Sequence, residues 1–484
     1  MESETRSFKV NAREALEDGN LQNALYKLTR GFPVKRRQAA ARLPEFEALR
    51  DQARAIKNHV LDNLDLYLER FEEKVVAEGG QVHWCRDAEE ARQAILGICR
   101  DAGAKTITKS KSMIGEEIAI NDFLDENGVA PIETDLGEYI IQLRKEPPSH
   151  IIAPAIHLSK QQVADTFRQC HTTLPEDRPL DEPRALLEEA RHALREKFLA
   201  ADVGLTGANM LIAETGSNIL VTNEGNADLT YGLPRVHIVI ASLEKIVPTL
   251  EDATTILRVL ARSATGQEMS VYTTFCTGAK RPGDLDGPEE YHVVLLDNGR
   301  TDLLGTEFQE MLRCIRCGAC LNHCPVYKTI GGHAYGWVYS GPMGAVLIPG
   351  LIGIDEAGHL PNASTLCGRC ENVCPMRIPI PRMLRAWRQR QFETGGTGTV
   401  SRFGLGLWAF LARRPALYNK LAGSVIALLG AFGRRHGRFR RIPFAGGWTA
   451  ARDFPVPQGD SFISQYHRGP RGDVSGEWLR GRGR

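Results

Sequence analysis

Cys314-Ile-Arg-Cys317-Gly-Ala-Cys320-Leu-Asn-His-Cys324-Pro325 is followed, roughly fifty residues on, by Cys367-Gly-Arg-Cys370-Glu-Asn-Val-Cys374-Pro375. The first run has the C-x2-C-x2-C-x3-C-P spacing of bacterial-type ferredoxins. Tight loops of this spacing let three thiolates converge on one cubane. The fourth Cys, before a Pro that turns the chain away, reaches a different cluster. Two such runs therefore cross over. The pattern predicts two [4Fe–4S] clusters, one on Cys314, Cys317, Cys320 and Cys374, the other on Cys324, Cys367 and Cys370.

The second set is one thiolate short. Aligned on its Cys-Pro end, the second run places Ser364 where its first Cys would stand. An alkoxide is a poor soft-metal ligand. The choice stays open between Ser364, an outside residue such as His333 or a small molecule, a partner's Cys, and a [3Fe–4S] centre. A disulfide framework would need an oxidising compartment. A structural zinc site could use four Cys, but the repeated spacing before Pro is that of cubane clusters. Cys85, Cys99, Cys170 and Cys276 are scattered and are assigned to no cluster; Cys99 lies on the apolar face of a helix and reads as core.

The 484 residues suffice for about three domains. Hydrophobic residues at 42% and charged residues at 25% are those of a globular protein. The net charge of +1 hides an asymmetry, because from Arg382 onward nineteen Lys and Arg face five Asp and Glu. The start is polar, with no apolar signal core. The most apolar stretch, 421–433, is shorter than the roughly 20 residues a bilayer needs. A cytoplasmic location is expected, where thiols stay reduced.

Residues 1–69 read as a helical region, with Gly79 and Gly80 stopping its last helix. The basic cluster Lys35-Arg36-Arg37 reads as a solvated turn. From residue 70 to 299 short strands alternate with helices, as at 82–85, 105–108, 130–134, 150–154, 210–214, 219–222, 237–241 and 292–296. This alternation predicts an α/β domain with a mostly parallel sheet. Residues 300–394 form the two-cluster ferredoxin-like domain, with a helix over 306–313 delivering Cys314. Residues 395–484 form a basic tail with an amphipathic element over 405–432, suited to a partner or, at most peripherally, a membrane surface. Its diffuse arginines point to no nucleic acid, and its end, 468–484, reads as disordered.

Three polar stretches fall where α/β sheets bind ligands: 109–117, 213–218 and 223–228. Glu214 and Glu224 are candidate general bases there, although turn chemistry alone accounts for the glycines and asparagines around them. Neither a G-x-G-x-x-G after a strand nor a Walker loop is present, so no nucleotide cofactor is indicated.

The chain resembles the bacterial lactate utilisation protein B family. The likeness rests on Leu205-Thr-Gly-Ala-Asn-Met210, Ala213-Glu-Thr-Gly-Ser217, Asn223-Glu-Gly-Asn226, Leu233-Pro-Arg-Val-His237, both Cys runs and the basic tail. It implies an α/β domain similar to the sugar-isomerase and CoA-transferase fold. It also implies an iron–sulfur subunit that passes electrons while L-lactate is oxidised to pyruvate. Two partner subunits are implied, one cysteine-rich and similar to heterodisulfide reductases, one sharing the α/β domain. The three-Cys second run is a trait of that family as well. Two other readings compete: the α/β domain as the catalytic, 2-hydroxy-acid-binding part, and a non-redox scaffold with structural clusters.

Overall fold

Two apolar runs, Val236–Ser242 (β7) and Glu290–Leu296 (β10), are buried almost end to end, as parallel strands covered on both faces must be. They pair with each other at the centre of a six-stranded sheet. Its other strands are Gln81–Cys85 (β1), Thr106–Lys109 (β2), Ala130–Glu133 (β3) and Val203–Gly207 (β4). The order is β1-β10-β7-β4-β2-β3, and every pairing is parallel. This computed structural model describes residues 3–468 except 176, 434, 443–448, 450–451 and 458–460. The expected disordered end, apart from Arg468, lies outside the described residues.

Side chains alternate between faces along each strand, so β7 feeds two cores. Ile238 and Ile240 pack with Ile95, Leu96 and Cys99 of the helix Ala88–Asp101, which Asp87 caps through the Glu90 N–H. Val239 and Ala241 pack with Leu64, Leu68, Phe71 and Val75 of the helix Leu64–Ala77. That helix runs across residue 70 and belongs to the sheet's core. Phe71 is fully buried, a burial that stabilises by about 1.5–3 kcal/mol.

A second, four-stranded sheet has the order β8-β5-β6-β9. It comprises Met210–Ile212 (β5), Ser217–Thr222 (β6), Ile246–Val247 (β8) and Tyr272–Cys276 (β9). β6 is antiparallel to both neighbours, while β5 and β8 are parallel.

Some sequence expectations are corrected. Residues 150–154 are not a strand but a loop after the Pro147-Pro148 pair. The His150 ring fixes it, with Nδ1 accepting from the N–H groups of Ile152 (3.0 Å) and Ala153 (3.3 Å). Those N–H groups are thereby taken from any ladder. Lys35-Arg36-Arg37 is not a turn; it lies inside the helix Gly19–Ala41, where Arg36 donates to the Val373 carbonyl at 2.8 Å. The segment leading to Cys314 is one short 3-10 helix, Gln309–Arg313.

The described residues fall into two units, Met1–Gly396 and Thr397–Arg484. In the second, the helices Thr399–Ala412 and Pro415–Gly433 carry the expected apolar element. The latter runs to 19 residues with a mean hydropathy of 1.3. By length and composition it can cross a bilayer, which the shorter stretch seen in sequence could not.

Candidate metal centre

The two Cys runs fold as copies fifty residues apart. Arg316 and Leu366 have φ of 56° and 53°, and Gly318 and Gly368 have φ of 69° and 76°. Each left-handed pair leads into a five-residue helix, Ala319–His323 or Arg369–Val373, and these two helices pack on each other. Gly318 is needed for space as well, because a Cβ there would meet Ile152 at 2.7 Å. The same offset maps Cys314 onto Ser364.

All eleven cysteines are free. Cys314, Cys317, Cys320 and Cys374 line one apolar cavity with Met311, Met343, Met376 and Ile380. Burial, then the neighbouring thiols Cys314, Cys317, Cys374 and Cys370, hold the Cys320 thiol well above its ordinary value. Burial followed by Cys324 and Cys367 raises Cys370 to about 12. Cys367 stands apart: it is exposed, and the Arg369 N–H on its sulfur is the main cause of its lowered pKa. The structure thus gathers Cys314, Cys317, Cys320 and Cys374 on one side and Cys324, Cys367 and Cys370 on the other, with Cys320 feeling both.

Backbone N–H groups point at these sulfurs. Ala319 serves Cys317, Val326 and Tyr327 serve Cys324, and Met376 and Ile378 serve Cys374. Buried soft thiols with N–H donors fit an iron–sulfur cluster, whose potential such bonds tune. Ser364 keeps the same habit, its Oγ accepting from the Leu366 N–H at 3.1 Å. His333 is spent elsewhere, its Nε2 2.8 Å from the Pro147 carbonyl.

Sequence reasoning missed the cations around this centre. Arg50, from the helix Phe46–Asp62, donates from Nε (3.1 Å) and Nη2 (2.7 Å) to the Cys374 carbonyl. Its Nη2 also reaches the Asn372 carbonyl at 2.8 Å. Arg313 is buried and reaches Asn58 Oδ1 at 3.1 Å. Arg316, between two cysteines, lies 3.1 Å from Glu244 Oε1 and 4.9 Å over the Tyr339 ring. Glu244 Oε2 stands 3.1 Å from Arg300 Nε, and Arg300 grips Glu117 at 2.9 and 2.7 Å. These cations hold the Glu244 carboxyl down at about 2 against its burial. The spacing of lone Arg and Glu residues in a sequence carries no signal of such a chain.

The three polar stretches part company in space. From 109–117, Lys109 is buried against Glu133 and, at 2.8 Å, Glu116, and Glu117 belongs to the Arg300 pair. Glu214 is exposed and accepts from the Leu250 N–H at 3.2 Å. Glu224 alone of the two candidate bases faces a cavity of about 280 Å³, which Ser110, Lys111, Lys245, Arg316 and Cys317 also line. Burial and the Asp135 charge raise its pKa.

Residues 68–296 match the LUD domain and residues 310–378 the 4Fe-4S dicluster domain. Lactate utilization protein B of Bacillus velezensis is 43% identical over 465 residues, 95% of this chain and 96% of that one. Its namesake in Bacillus subtilis is 41% identical, covering 95% of both chains. An uncharacterized electron transport protein of Escherichia coli is 40% identical over 95% of this chain and 96% of that one. A solved DUF162 family protein from Deinococcus radiodurans, 17% identical, aligns with 48% of this chain and 98% of its own at a TM-score of 0.28. With two cysteine runs inside a segment that matches a 4Fe-4S dicluster domain, set beside a parallel α/β sheet, the chain belongs to the lactate utilization protein B family.

Proposed function

We propose that this chain is the iron–sulfur electron-transfer subunit of a cytoplasmic complex that oxidises L-lactate to pyruvate. Cys314, Cys317, Cys320 and Cys374 hold one [4Fe–4S] cluster, and Cys324, Cys367 and Cys370 hold the second with a fourth ligand from elsewhere. The observation that carries this reading is the single apolar cavity lined by four thiols from two crossed runs. The lactate-utilization and electron-transport names of the relatives support the pathway. Two further subunits, one cysteine-rich and one sharing the α/β domain, complete the complex.

When bound, such clusters supply one-electron chemistry. The chain's own residues set its conditions. N–H groups of Ala319, Met376 and Ile378 stabilise negative charge on the sulfurs. Arg50, Arg313 and Arg316 place fixed positive charge around the first group. Met311, Met343 and Met376 keep water from it. The second group opens to solvent at Cys367, the side on which a partner can exchange electrons.

Iron and acid-labile sulfide analysis of anaerobically purified protein, with EPR before and after dithionite, tests this. The expected result is about seven to eight irons per chain and a reducible signal. Zinc in the thiolate sites would end the redox reading. Clusters that resist reduction, and whose removal unfolds the protein, would make them a scaffold.

A further inference from the structure

Away from the cysteines, three glutamates meet at the carboxyl ends of the neighbouring strands β2 and β3, the latter at the edge of the main sheet. Glu133 is the last residue of β3, and Lys109, its register partner, is the last of β2. Glu116 comes from the helix Met113–Glu117 and Glu138 from the helix Leu136–Arg144. One carboxylate oxygen from each of Glu116, Glu133 and Glu138 lies within 4.8 Å of the other two. Glu133 and Glu138 are only 2% and 1% exposed. Lys109 divides its ammonium between Glu116 Oε1, at 2.8 Å, and Glu133 Oε1. Asn121 Nδ2 also donates to Glu133 Oε1, at 2.7 Å. Glu133 Oε2, Glu138 Oε1 and Asn121 Oδ1 are buried with no hydrogen-bond partner. Among the described residues no ion pair reaches Glu138. Burial, then the charges of Glu116 and Glu133, hold its carboxyl well above the ordinary range, and Lys111 and Lys109 only partly offset them. Buried acceptors of this kind cost free energy unless a cation or a proton takes them. The three glutamates and Asn121 line a cavity of about 1160 Å³, around which nine carboxylates face two fixed cations, Arg144 and Lys145.

We propose that Glu116, Glu133 and Glu138 bind one hard divalent cation, of the Mg2+, Mn2+ or Ca2+ class, on the wall of this cavity. An all-oxygen, carboxylate-rich donor set selects such ions over the softer metals that thiolates hold. Opposite ligands stand about 4.2 Å apart around Mg2+ and about 4.8 Å apart around Ca2+, so three oxygens this close can close on either. Lys109 occupies one oxygen of Glu116 and one of Glu133, which leaves Glu133 Oε2 and Glu138 Oε1 for the ion. The cavity has room for the waters that complete the shell. A proton shared by Glu133 and Glu138 is the competing occupant, and it would leave Asn121 Oδ1 bare. The site is independent of the iron–sulfur reading, for no cysteine lines this cavity.

The test is Mn2+ binding by the full, anaerobically purified chain, followed through loss of the free-ion EPR signal, with iron measured on the same sample. About one Mn2+ per chain is expected at neutral pH, held more tightly than about a millimolar and displaced by Mg2+ or Ca2+. Glu138→Gln removes the charge and keeps the size, and should weaken Mn2+ about tenfold or more. Asp125→Asn, on the same cavity wall but outside the trio, should leave binding unchanged. Mn2+ should raise the melting temperature of wild type and of Asp125→Asn, and not that of Glu138→Gln. Wild-type iron content in both variants shows that they fold; should Glu138→Gln fail to, Glu138→Asp, with its shorter reach, gives the same reading. A wild-type chain that binds no Mn2+ at about a millimolar overturns the proposal. So does wild-type affinity in Glu138→Gln, which places the ion elsewhere on the chain. A melting temperature that ignores Mn2+ but rises with Glu138→Gln gives the site to the shared proton and overturns it as well. Mn2+ binding, lost in Glu138→Gln, by a chain that holds no iron would keep this site and remove the electron-transfer role.

Discussion

Arg316 Nη2 and Glu244 Oε1 stand 3.1 Å apart, joining the first cysteine loop to the segment that follows the central strand β7. Both side chains are almost wholly buried, and Glu244 also faces Arg300. Removing one member of such a set leaves an uncompensated buried charge, which costs about 3–5 kcal/mol. Glu244→Ala is therefore expected to lose stability on that scale in denaturant titration. It should also release iron faster than wild type under a chelator, since Arg316 loses its anchor between Cys314 and Cys317. Unchanged unfolding midpoint and iron retention would mean that Arg316 is held by Tyr339 alone.

What the sequence revealed and what it hid divide along a physical line. The crossed cysteine runs, the offset onto Ser364, and strands such as β7 and β10 are local patterns, set by spacing and by apolar runs. The loop at 150–154 has the apolar residues of a strand. Its N–H groups go to the His150 ring instead, and that ring is held 3.0 Å from Asn322 Oδ1, far along the chain. Lys35-Arg36-Arg37 looks like a solvated turn because nothing nearby explains it; its reason, the Val373 carbonyl, lies in the second cysteine run. β9 was not anticipated, because half-buried Tyr272-Thr-Thr-Phe275 earns its place only by pairing with β6.

Ser364 makes a second case. It occupies the place of Cys314 in the other copy, and its Oγ already accepts from the N–H two residues on. Ser364→Cys adds a soft thiolate at a position whose backbone is shaped for one. Iron per chain is expected to rise toward eight and to survive oxygen longer. Any [3Fe–4S] signal of the wild type should fall. Iron content and EPR spectra identical to wild type would show that the fourth ligand comes from a different direction.

Acid should weaken the fold through two buried histidines. Burial, then His292, lowers the His237 pKa to about 3, its Nε2 lying 2.9 Å from Thr206 Oγ1. Burial lowers His150 to about 4. Both take protons near pH 6.5 once unfolded. Their folded-state pKa values are depressed, so stability is full above about 6.5 and declines as pH falls toward 4. The slope is about 1.4 kcal/mol per unit for each histidine. His237→Gln keeps a partner for Thr206 but cannot take the proton. Its urea midpoint should therefore fall less than wild type between pH 6.5 and 4.5. Parallel pH profiles for the two proteins would refute the account.

Every cysteine lies within Met1–Gly396, and the second unit shows its apolar side chains to solvent, among them Phe403, Trp408, Val425 and Phe432. A chain ending at residue 396 should therefore keep its iron content and visible spectrum. What it should lose is surface affinity. The helix Pro415–Gly433 is about 28 Å long at 1.5 Å per residue, close to the hydrocarbon thickness of a bilayer. Arg413, Arg414 and Lys420 at its start favour an anionic surface. In flotation with phosphatidylglycerol vesicles, the full chain is expected to rise with lipid and the shortened chain to stay behind. Equal flotation of the two would place the membrane contact within the first unit, or nowhere on the chain.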